Sequence, residues 1–321
     1  MTLVQAEAIE KTFAGRGFFR AARGVRAVAG VDVALARGEA LGVVGESGSG
    51  KSTLGRLLLG LLPVSAGRLR FDGAAMPAPD TAAWRALRAR MGIVFQDPFG
   101  SLDARRNIGA QIGDGIAIHG HVSAGERATR VAGLLAQVGL DPQRAGAFPH
   151  EFSGGQRQRI GIARALASGP EFLVADEPVS ALDVSIQAQV VRLLGDLRRD
   201  LGLALLFISH DLLVVRHLCD RVLVMYAGRV MEEGPVAALF AQPRHPYTRA
   251  LLSATPMLDP ARRIARIILP GEPPSPSNPP SGCVFRTRCA HAIDACAGSV
   301  PALRPMEQGQ SVACIRAKDL A

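Results

Sequence analysis

The sequence predicts an α/β fold built on a mostly parallel sheet, with an inserted helical subdomain and a cysteine-containing C-terminal extension. In residues 1–95 and 165–235, short apolar runs alternate with helix-length segments, a pattern typical of parallel strands joined by helices. Residues 100–164 lack such runs and contain helix-like segments, for example Ala124–Val138. We therefore expect an α/β domain over 1–235 that carries a helical subdomain at about 100–164.

Composition limits the class of protein. The chain has 321 residues, of which 48% are hydrophobic, and this length and composition fit a globular protein. No run approaches the roughly 18–20 apolar residues of a membrane span, and the charged first 30 residues do not resemble a secretory signal. We therefore expect a cytoplasmic protein.

The net charge of +9 raises the question of an anionic partner. The arginines are spread along the chain, and two Tyr and one Trp offer few stacking platforms for bases, which argues against nucleic acid. A basic protein at the surface of an anionic membrane explains the charge at least as well.

The first functional motif is a glycine-rich loop between an apolar strand, Ala40–Val44, and an apolar helix-like run that ends before Pro63. The loop matches the P-loop pattern G-x-x-x-x-G-K-[ST] and continues into the helix as Gly45-Glu46-Ser47-Gly48-Ser49-Gly50-Lys51-Ser52-Thr53. Backbone N–H groups and the positive end of the helix would hold a polyphosphate there. Lys51 would reach the β- and γ-phosphates and the Ser52 hydroxyl would bind Mg²⁺, so the fold is a P-loop NTPase core.

Polar side chains at three further strand ends complete a hydrolytic site. Asp176 and Glu177 follow an apolar strand, so that Asp176 would hold the Mg²⁺ shell and Glu177 would act as the base toward water. His210 ends the next strand along the chain, and the β-α-β order would bring it close to the γ-phosphate. Gln96 ends another strand and is a candidate sensor of Mg²⁺ or water.

A second phosphate-binding helix start lies at Ser153-Gly154-Gly155-Gln156. One ATP does not need two such sites in one chain. A head-to-tail pair of protomers explains the second phosphate-binding site, because the P-loop of one protomer and the Ser-Gly-Gly segment of the other would bind the same γ-phosphate.

With these motifs in order, residues 1 to about 235 resemble an ATP-binding cassette (ABC) ATPase. The resemblance implies ATP and Mg²⁺ as cofactors, with Ser52, Gln96 and Asp176 around the metal ion. It also implies that Ser180-Ala181-Leu182-Asp183 crosses a dimer interface and that an upstream aromatic residue stacks on adenine. Phe13 best matches that position, while Phe18 and Phe19 remain alternatives.

Spacing narrows the choice among relatives of this family. Only 56 residues separate Gln96 from Ser153, too few for the long coiled coil of chromosome-maintenance and DNA-repair relatives. A single cassette argues against tandem-cassette translation factors. A transporter subunit remains, and without membrane spans it would bind separate membrane proteins. This arrangement is typical of bacterial importers in the family, although some exporters share it. The resemblance to importers implies two permease subunits at the cytoplasmic face of the bacterial inner membrane. A second ATPase subunit, identical or homologous, and an extracytoplasmic solute-binding protein would complete the importer. A soluble ABC protein acting on nucleic acid or ribosomes is the disfavoured alternative.

Residues 236–321 carry a stiff proline-rich stretch, Pro270–Pro280, and then Cys283, Cys289, Cys296 and Cys314. Clustered thiols in a cytosolic chain are seldom disulfides. The intervals of five, six and seventeen residues contain no C-x₂₋₄-C zinc knuckle. Four thiolates are able to hold an iron–sulfur cluster, and unligated thiols are the alternative. The proline-rich stretch is expected to hold this tail apart from the catalytic core.

The tail resembles the C-terminal region of dipeptide/oligopeptide importer ATPases, on the motif Arg244-His245-Pro246-Tyr247-Thr248 and the Gly-Cys-x-Phe element at Cys283. The resemblance implies a peptide cargo and a [4Fe–4S] cluster on the four cysteines. Importers of nickel and glutathione belong to the same group, so nickel, glutathione or another small solute stays open as an alternative cargo. Cys219 lies in an apolar helix-like context and is expected to be a core thiol.

Overall fold

The structure is a computed structural model that describes residues 1–14, 24–97, 100–120, 122–255 and 265–320. Its strands are β1 Thr2–Phe13, β2 Val25–Ala36, β3 Ala40–Val44, β4 Ala66–Phe71, β5 Ala74–Ala75, β6 Met91–Val94, β7 Phe172–Asp176, β8 Ala204–Ile208, β9 Arg221–Tyr226, β10 Arg229–Pro235, β11 Arg304–Pro305 and β12 Ser311–Val312. Its α-helices are α1 Lys51–Leu58, α2 Ala82–Ala89, α3 Ile108–His119, α4 Ala124–Gln137, α5 Gly154–Leu166, α6 Val184–Leu201, α7 Leu212–Leu218, α8 Val236–Ala241, α9 Pro246–Ser253 and α10 Ala295–Gly298. Short 3₁₀ helices lie at Pro142–Gly146, Pro149–Glu151 and Glu307–Gly309.

The chain divides into two compact units. The first unit comprises residues 1–3, 35–39 and 71–208, and the second comprises residues 4–34, 40–70 and 209–321. The candidate site residues are distributed over both units.

Parallel strands order the first unit. β7 pairs in parallel with β6 on one side and with β8 on the other, and Asp176 at the end of β7 is level with Ile208 at the end of β8. Every residue of β7 and β8 is buried, which is why both strands consist of continuous apolar runs. The pairing confirms that the strands before Glu177 and before His210 end side by side.

Helices α3, α4 and α5 occupy the strand-free part of the first unit, where residues 100–164 were expected to form a helical subdomain. Local capping signals set their starts. Asn107 caps α3, and Ser123 with Glu126 forms a reciprocal capping box at α4, because each side chain bonds the backbone N–H of the other residue. The α4 helix ends one residue before the predicted end at Val138.

The second unit holds a mixed sheet and part of a second one. β3 pairs in parallel with β9, β9 pairs antiparallel with β10, and β12 joins β10 and β11 antiparallel. β1 lies between β2 and β4 in the other sheet. Residues 270–280 form neither helix nor strand, as the prolines predict. Cys219 is buried at the end of α7, which confirms the expected core thiol.

Candidate nucleotide-binding site

The P-loop follows β3 directly in the second unit, and α1 begins at Lys51. Gly50 adopts a left-handed φ of 102°, and a Cβ there would lie 2.2 Å from the carbonyl oxygen of Ala27. At Gly45 a Cβ would lie 2.1 Å from the carbonyl oxygen of Met225. The backbone therefore packs too closely at these two positions for any other residue, which is the reason for the glycines.

The Lys51 ammonium is held inside this loop. Its Nζ donates hydrogen bonds to the carbonyl oxygens of Gly45 at 2.8 Å and Glu46 at 2.9 Å. The side chain is buried, and Ser52 and Thr53 follow it in the first turn of α1. The hydroxyl of Ser49 is also buried and has no hydrogen-bond partner among the described residues. A buried lysine and an unsatisfied hydroxyl in a loop of closely packed glycines fit the binding of a polyphosphate.

Two residues of the C-terminal region contact the P-loop. The phenol oxygen of Tyr247 accepts a hydrogen bond from the backbone N–H of Glu46 at 2.8 Å. The Arg288 guanidinium donates to the Glu46 carboxylate at 2.7 Å. The expectation that the proline-rich stretch holds the tail apart from the catalytic core is therefore wrong, because α9 and the segment around Arg288 pack back onto the phosphate loop.

Sequence reasoning missed Tyr247 and Arg288 as residues of this site. One signal was available for Tyr247, since it is one of two tyrosines in the chain and lies within the His-Pro-Tyr-Thr motif. No local pattern pointed to Arg288, which is one of many arginines.

The His-Pro-Tyr-Thr motif forms the buried start of α9. His245 caps the helix, because its Nδ1 accepts the backbone N–H of Tyr247 at 3.0 Å. The carboxylate of Glu232, which is fully buried in β10, accepts the backbone N–H groups of Arg244 and His245. Burial lowers the pKa of His245 to about 3 and raises the pKa of Glu232. The His-Pro-Tyr-Thr motif is therefore a buried connection between β10 and the C-terminal region, and its histidine is neutral.

The adenine candidate Phe13 ends β1 and is 38% exposed. The Lys11 ammonium lies over the ring, 5.3 Å from its centroid. Phe18 and Phe19, the alternatives, lie outside the described residues.

In the first unit, the two carboxylates occupy the end of β7. Asp176 is buried, and Glu177 follows with a left-handed φ of 47°, a strained conformation for a residue with a side chain. The Glu177 N–H donates to the carbonyl of Ile208, and its carboxylate accepts a hydrogen bond of 3.1 Å from the side-chain amide of Gln96. The structure therefore brings Gln96 and Glu177 together. His210, in the other unit, is exposed two residues after the end of β8.

The Ser-Gly-Gly-Gln segment starts α5. Ser153 and Gln156 form a reciprocal capping box, in which the Ser153 hydroxyl accepts the Gln156 N–H and the Gln156 side chain accepts the Ser153 N–H. A Cβ on Gly155 would lie 2.4 Å from Cγ2 of Ile186 in the same chain, whereas among the described residues a Cβ on Gly154 would meet only Leu182, at 3.7 Å. Glycine is therefore required at position 155 for packing within the protomer, whereas position 154 has room for a side chain.

The four C-terminal cysteines line one pocket together with His245 and Phe285. No disulfide joins any of the chain's five cysteines. Burial, followed by the electrostatic influence of the neighbouring thiols, raises the pKa of Cys283, and burial likewise raises the pKa values of Cys289 and Cys314. Among the described residues, however, no three His, Cys, Asp or Glu side chains lie close enough together to hold a metal ion.

Comparisons with known proteins agree with this site. Residues 28–180 match the family model of ABC transporters, and residues 231–296 match that of the oligopeptide/dipeptide transporter C-terminal region. A putative peptide import ATP-binding protein of Brucella abortus is 58% identical over 282 residues, covering 88% of this chain and 89% of the relative. The dipeptide transport ATP-binding protein DppF of Escherichia coli is 47% identical over 313 residues, covering 97% and 93%.

Solved structures give the same result. The dimeric ATP-binding cassette MJ0796 bound to ADP and Pi aligns with a TM-score of 0.65 at 28% identity, covering 73% of this chain and 99% of that one. The chain therefore belongs to the ABC transporter ATPase family. Within that family it carries the C-terminal region of the oligopeptide/dipeptide transporter group. No helix in the described ranges has the length and apolar character to cross a membrane.

Proposed function

We propose that this chain is the ATP-hydrolysing subunit that energises a bacterial importer of dipeptides or oligopeptides. One observation carries the proposal: a single chain joins a phosphate-binding loop to the oligopeptide/dipeptide type of C-terminal region, and Tyr247 of that region contacts the loop. Relatives similar over nearly the whole chain are named as peptide import, oligopeptide transport and dipeptide transport proteins.

The site residues have distinct roles in this proposal. Lys51 neutralises the β- and γ-phosphates, and the remaining P-loop residues donate backbone N–H groups to the phosphates. Mg²⁺, when bound, supplies charge neutralisation at the phosphates, with Ser52, Gln96 and Asp176 as its protein ligands directly or through water. Glu177 accepts the proton of the attacking water, His210 contacts the γ-phosphate, and Phe13 stacks on adenine. The hydrogen bond from Gln96 supports this role because it orients the Glu177 carboxylate.

The catalytic unit is a head-to-tail dimer in this proposal. Ser153, Gly154, Gly155 and Gln156 of one ATPase subunit would face the P-loop of a second, identical or homologous subunit. The capping box supports the proposal, because it leaves the N–H groups of Gly154 and Gly155 at the helix start for a phosphate.

The proposed assembly is peripheral to the membrane. The pair of ATPase subunits would bind two permease subunits at the cytoplasmic face, and an extracytoplasmic binding protein would deliver the cargo. Within the chain, residues 1–235 would form the ABC ATPase domain, with a helical subdomain at about 100–164, and residues 236–321 the importer-type C-terminal region.

Reconstitution of the chain with its cognate permeases and binding protein in proteoliposomes tests the function. Uptake of a radiolabelled dipeptide or pentapeptide that requires ATP on the side of the ATPase supports peptide import. Parallel assays with nickel and glutathione test the alternative cargoes. If nickel or glutathione is taken up and peptides are not, the cargo of the importer is that solute and not a peptide. If ATP hydrolysis is stimulated by RNA but not by the permeases, the transport proposal is overturned.

We also propose that the four C-terminal cysteines hold a [4Fe–4S] cluster. The four cysteines line one pocket, and four thiolates are able to hold such a cluster, as the resemblance to the importer-type C-terminal region implies. They are not gathered at the spacing of a single ion.

A further inference from the structure

Glu46, the second residue of the P-loop, is held at three points. Its N–H donates to the Tyr247 hydroxyl at 2.8 Å, and its carboxylate accepts a 2.7 Å hydrogen bond from Arg288. Its carbonyl oxygen accepts a 2.9 Å hydrogen bond from Lys51 Nζ. The orientation of this one peptide segment therefore links the C-terminal region to the ammonium group of Lys51.

The two C-terminal residues are themselves rigidly placed. Tyr247 is fully buried, with the Tyr226 ring 4.7 Å and the Phe285 ring 5.3 Å from its own ring centroid. Arg288 is 8% exposed, and its Nε donates to the carbonyl oxygen of Pro270. Burial raises the pKa of Tyr247 above its usual range, so the hydroxyl is neutral at physiological pH. Because Tyr247 and Arg288 are held in place by these contacts, they are able to hold Glu46 in one orientation.

The opposite side of the loop leaves little freedom for rearrangement. Gly45 approaches the carbonyl of Met225 so closely that even a Cβ would lie 2.1 Å away, and the N–H of Gly228 donates to the carbonyl of Ser49. The loop is thus bounded by β9 and the turn after it, and by Tyr247 and Arg288 at Glu46. Removing either contact would release Glu46, and with it a carbonyl oxygen that accepts a hydrogen bond from Lys51.

We propose that Tyr247 and Arg288 are positioning residues for ATP binding, which hold Glu46 and, through it, Lys51 in the geometry that accepts the phosphates. The inference rests on the proposed ATPase function. It assigns to the C-terminal region a part in nucleotide binding, in addition to any part in assembly with other subunits.

Equilibrium binding of a fluorescent ATP analogue to the full chain, with steady-state KM and kcat, tests the proposal. Arg288→Ala should raise the Kd about tenfold, the size expected for loss of a charge-assisted hydrogen bond. The KM should rise with it while kcat at saturating ATP stays near the wild-type value. Arg288→Lys should recover part of the affinity, because it keeps the charge but not the guanidinium fork. Tyr247→Phe, which removes only the hydroxyl, should raise the Kd several-fold.

Arg286→Ala is the matched control. Arg286 is two residues away and, within the described part of the chain, its side chain donates hydrogen bonds to the carbonyl and hydroxyl oxygens of Ser281 and not to Glu46, so its loss should leave the Kd unchanged. Glu46→Gln combined with Arg288→Ala should cost less than the sum of the two single changes, because both remove one interaction.

The alternative is that Arg288 and Tyr247 stabilise the packing of the C-terminal region and have no effect on ATP binding. Lowered melting temperatures with an unchanged Kd in Arg288→Ala and Tyr247→Phe would overturn the proposal. If Arg288→Ala does not fold, an unchanged Kd for ATP in Arg288→Lys and Tyr247→Phe would overturn the proposal instead. A wild-type chain that binds no ATP would instead overturn the proposed ATPase function, so the two failures are distinguishable.

Discussion

The Arg288 guanidinium lies 2.7 Å from the carboxylate of Glu46, although 242 residues separate them in the chain. The contact joins the cysteine-containing tail to the phosphate loop, so the two regions cannot be treated as independent modules. It is the contact through which the proposed positioning of Glu46 and Lys51 would depend on the tail.

Replacing Glu177 with glutamine should leave ATP binding intact and reduce turnover at least about 100-fold, the loss expected for removal of a general base. The amide oxygen is still able to accept the hydrogen bond from Gln96, so the geometry at the end of β7 should survive. Phosphate release measures turnover, and size-exclusion chromatography with ATP should show an accumulated dimer. Turnover near the wild-type rate would contradict the assignment of Glu177 as base.

A carboxylate introduced by Gly154→Asp should block hydrolysis in trans. Gly154 is the better position than Gly155, because a side chain at Gly155 would collide with Ile186 of its own chain. Mixing Gly154→Asp chains with Lys51→Ala chains should restore part of the ATPase activity, since one composite site of the mixed dimer then carries neither change. If the partner is a different ATPase subunit, the two changes must be placed in different subunits.

Gly125→Asp provides the control for that experiment. Gly125 also lies in the first turn of a helix, and a Cβ there would meet no atom of the described residues within 4 Å. This variant should hydrolyse ATP at the wild-type rate. Failure of the Gly154→Asp and Lys51→Ala mixture to recover activity at any ratio, in a chain shown to form homodimers, would favour sites formed within one protomer.

Much of this site could be predicted because its signals are local. β3, β7 and β8 are buried along their whole length, and such strands appear in sequence as continuous apolar runs. The P-loop glycines and the Ser153 cap are likewise encoded within a few residues. The roles of Tyr247 and Arg288 could not be predicted, because their contacts with Glu46 span 201 and 242 residues and depend on the packing of α9 and the tail.

The buried His245 should make stability depend on pH. Its pKa is lowered to about 3 in the folded chain, against about 6.5 when unfolded, so below pH 6.5 only the unfolded state takes up this proton. The contribution of the neutral, buried His245 to the free energy of unfolding is therefore fully present above pH 6.5 and decreases as the pH falls toward 3. Between pH 7.5 and 5.5 the free energy of unfolding should fall by about 1 kcal/mol more in the wild type than in His245→Asn.

Asparagine is chosen because its side-chain oxygen is also able to cap α9. Urea denaturation at the two pH values measures the difference, and the buried Glu232 is present in both proteins. His217→Asn, at an exposed position of α7, should keep the wild-type pH dependence. An equal pH dependence in wild type and His245→Asn would show that His245 is not buried in its neutral form.

The cysteine pocket gives the last prediction. Protein purified anaerobically with adequate iron should be brown, with about four iron atoms per chain and a broad absorbance at about 400 nm, if the four cysteines hold a [4Fe–4S] cluster. Cys289→Ser or Cys296→Ser should bleach the colour, and Cys219→Ser should not, because Cys219 lies at the end of α7 and does not line the pocket. One zinc per chain would replace the cluster with a zinc site, and an absence of metal would leave four thiols.

The position of Arg288 next to Cys289 determines what else should change in the bleached protein. Loss of the cluster would release the segment that carries Arg288, so the KM for ATP should rise. Part of the turnover at saturating ATP should survive, since Asp176 and Glu177 lie in the other unit of the chain. Bleached protein with an unchanged KM would show that the Arg288–Glu46 contact forms without the cluster, and that the tail acts on assembly with other subunits instead.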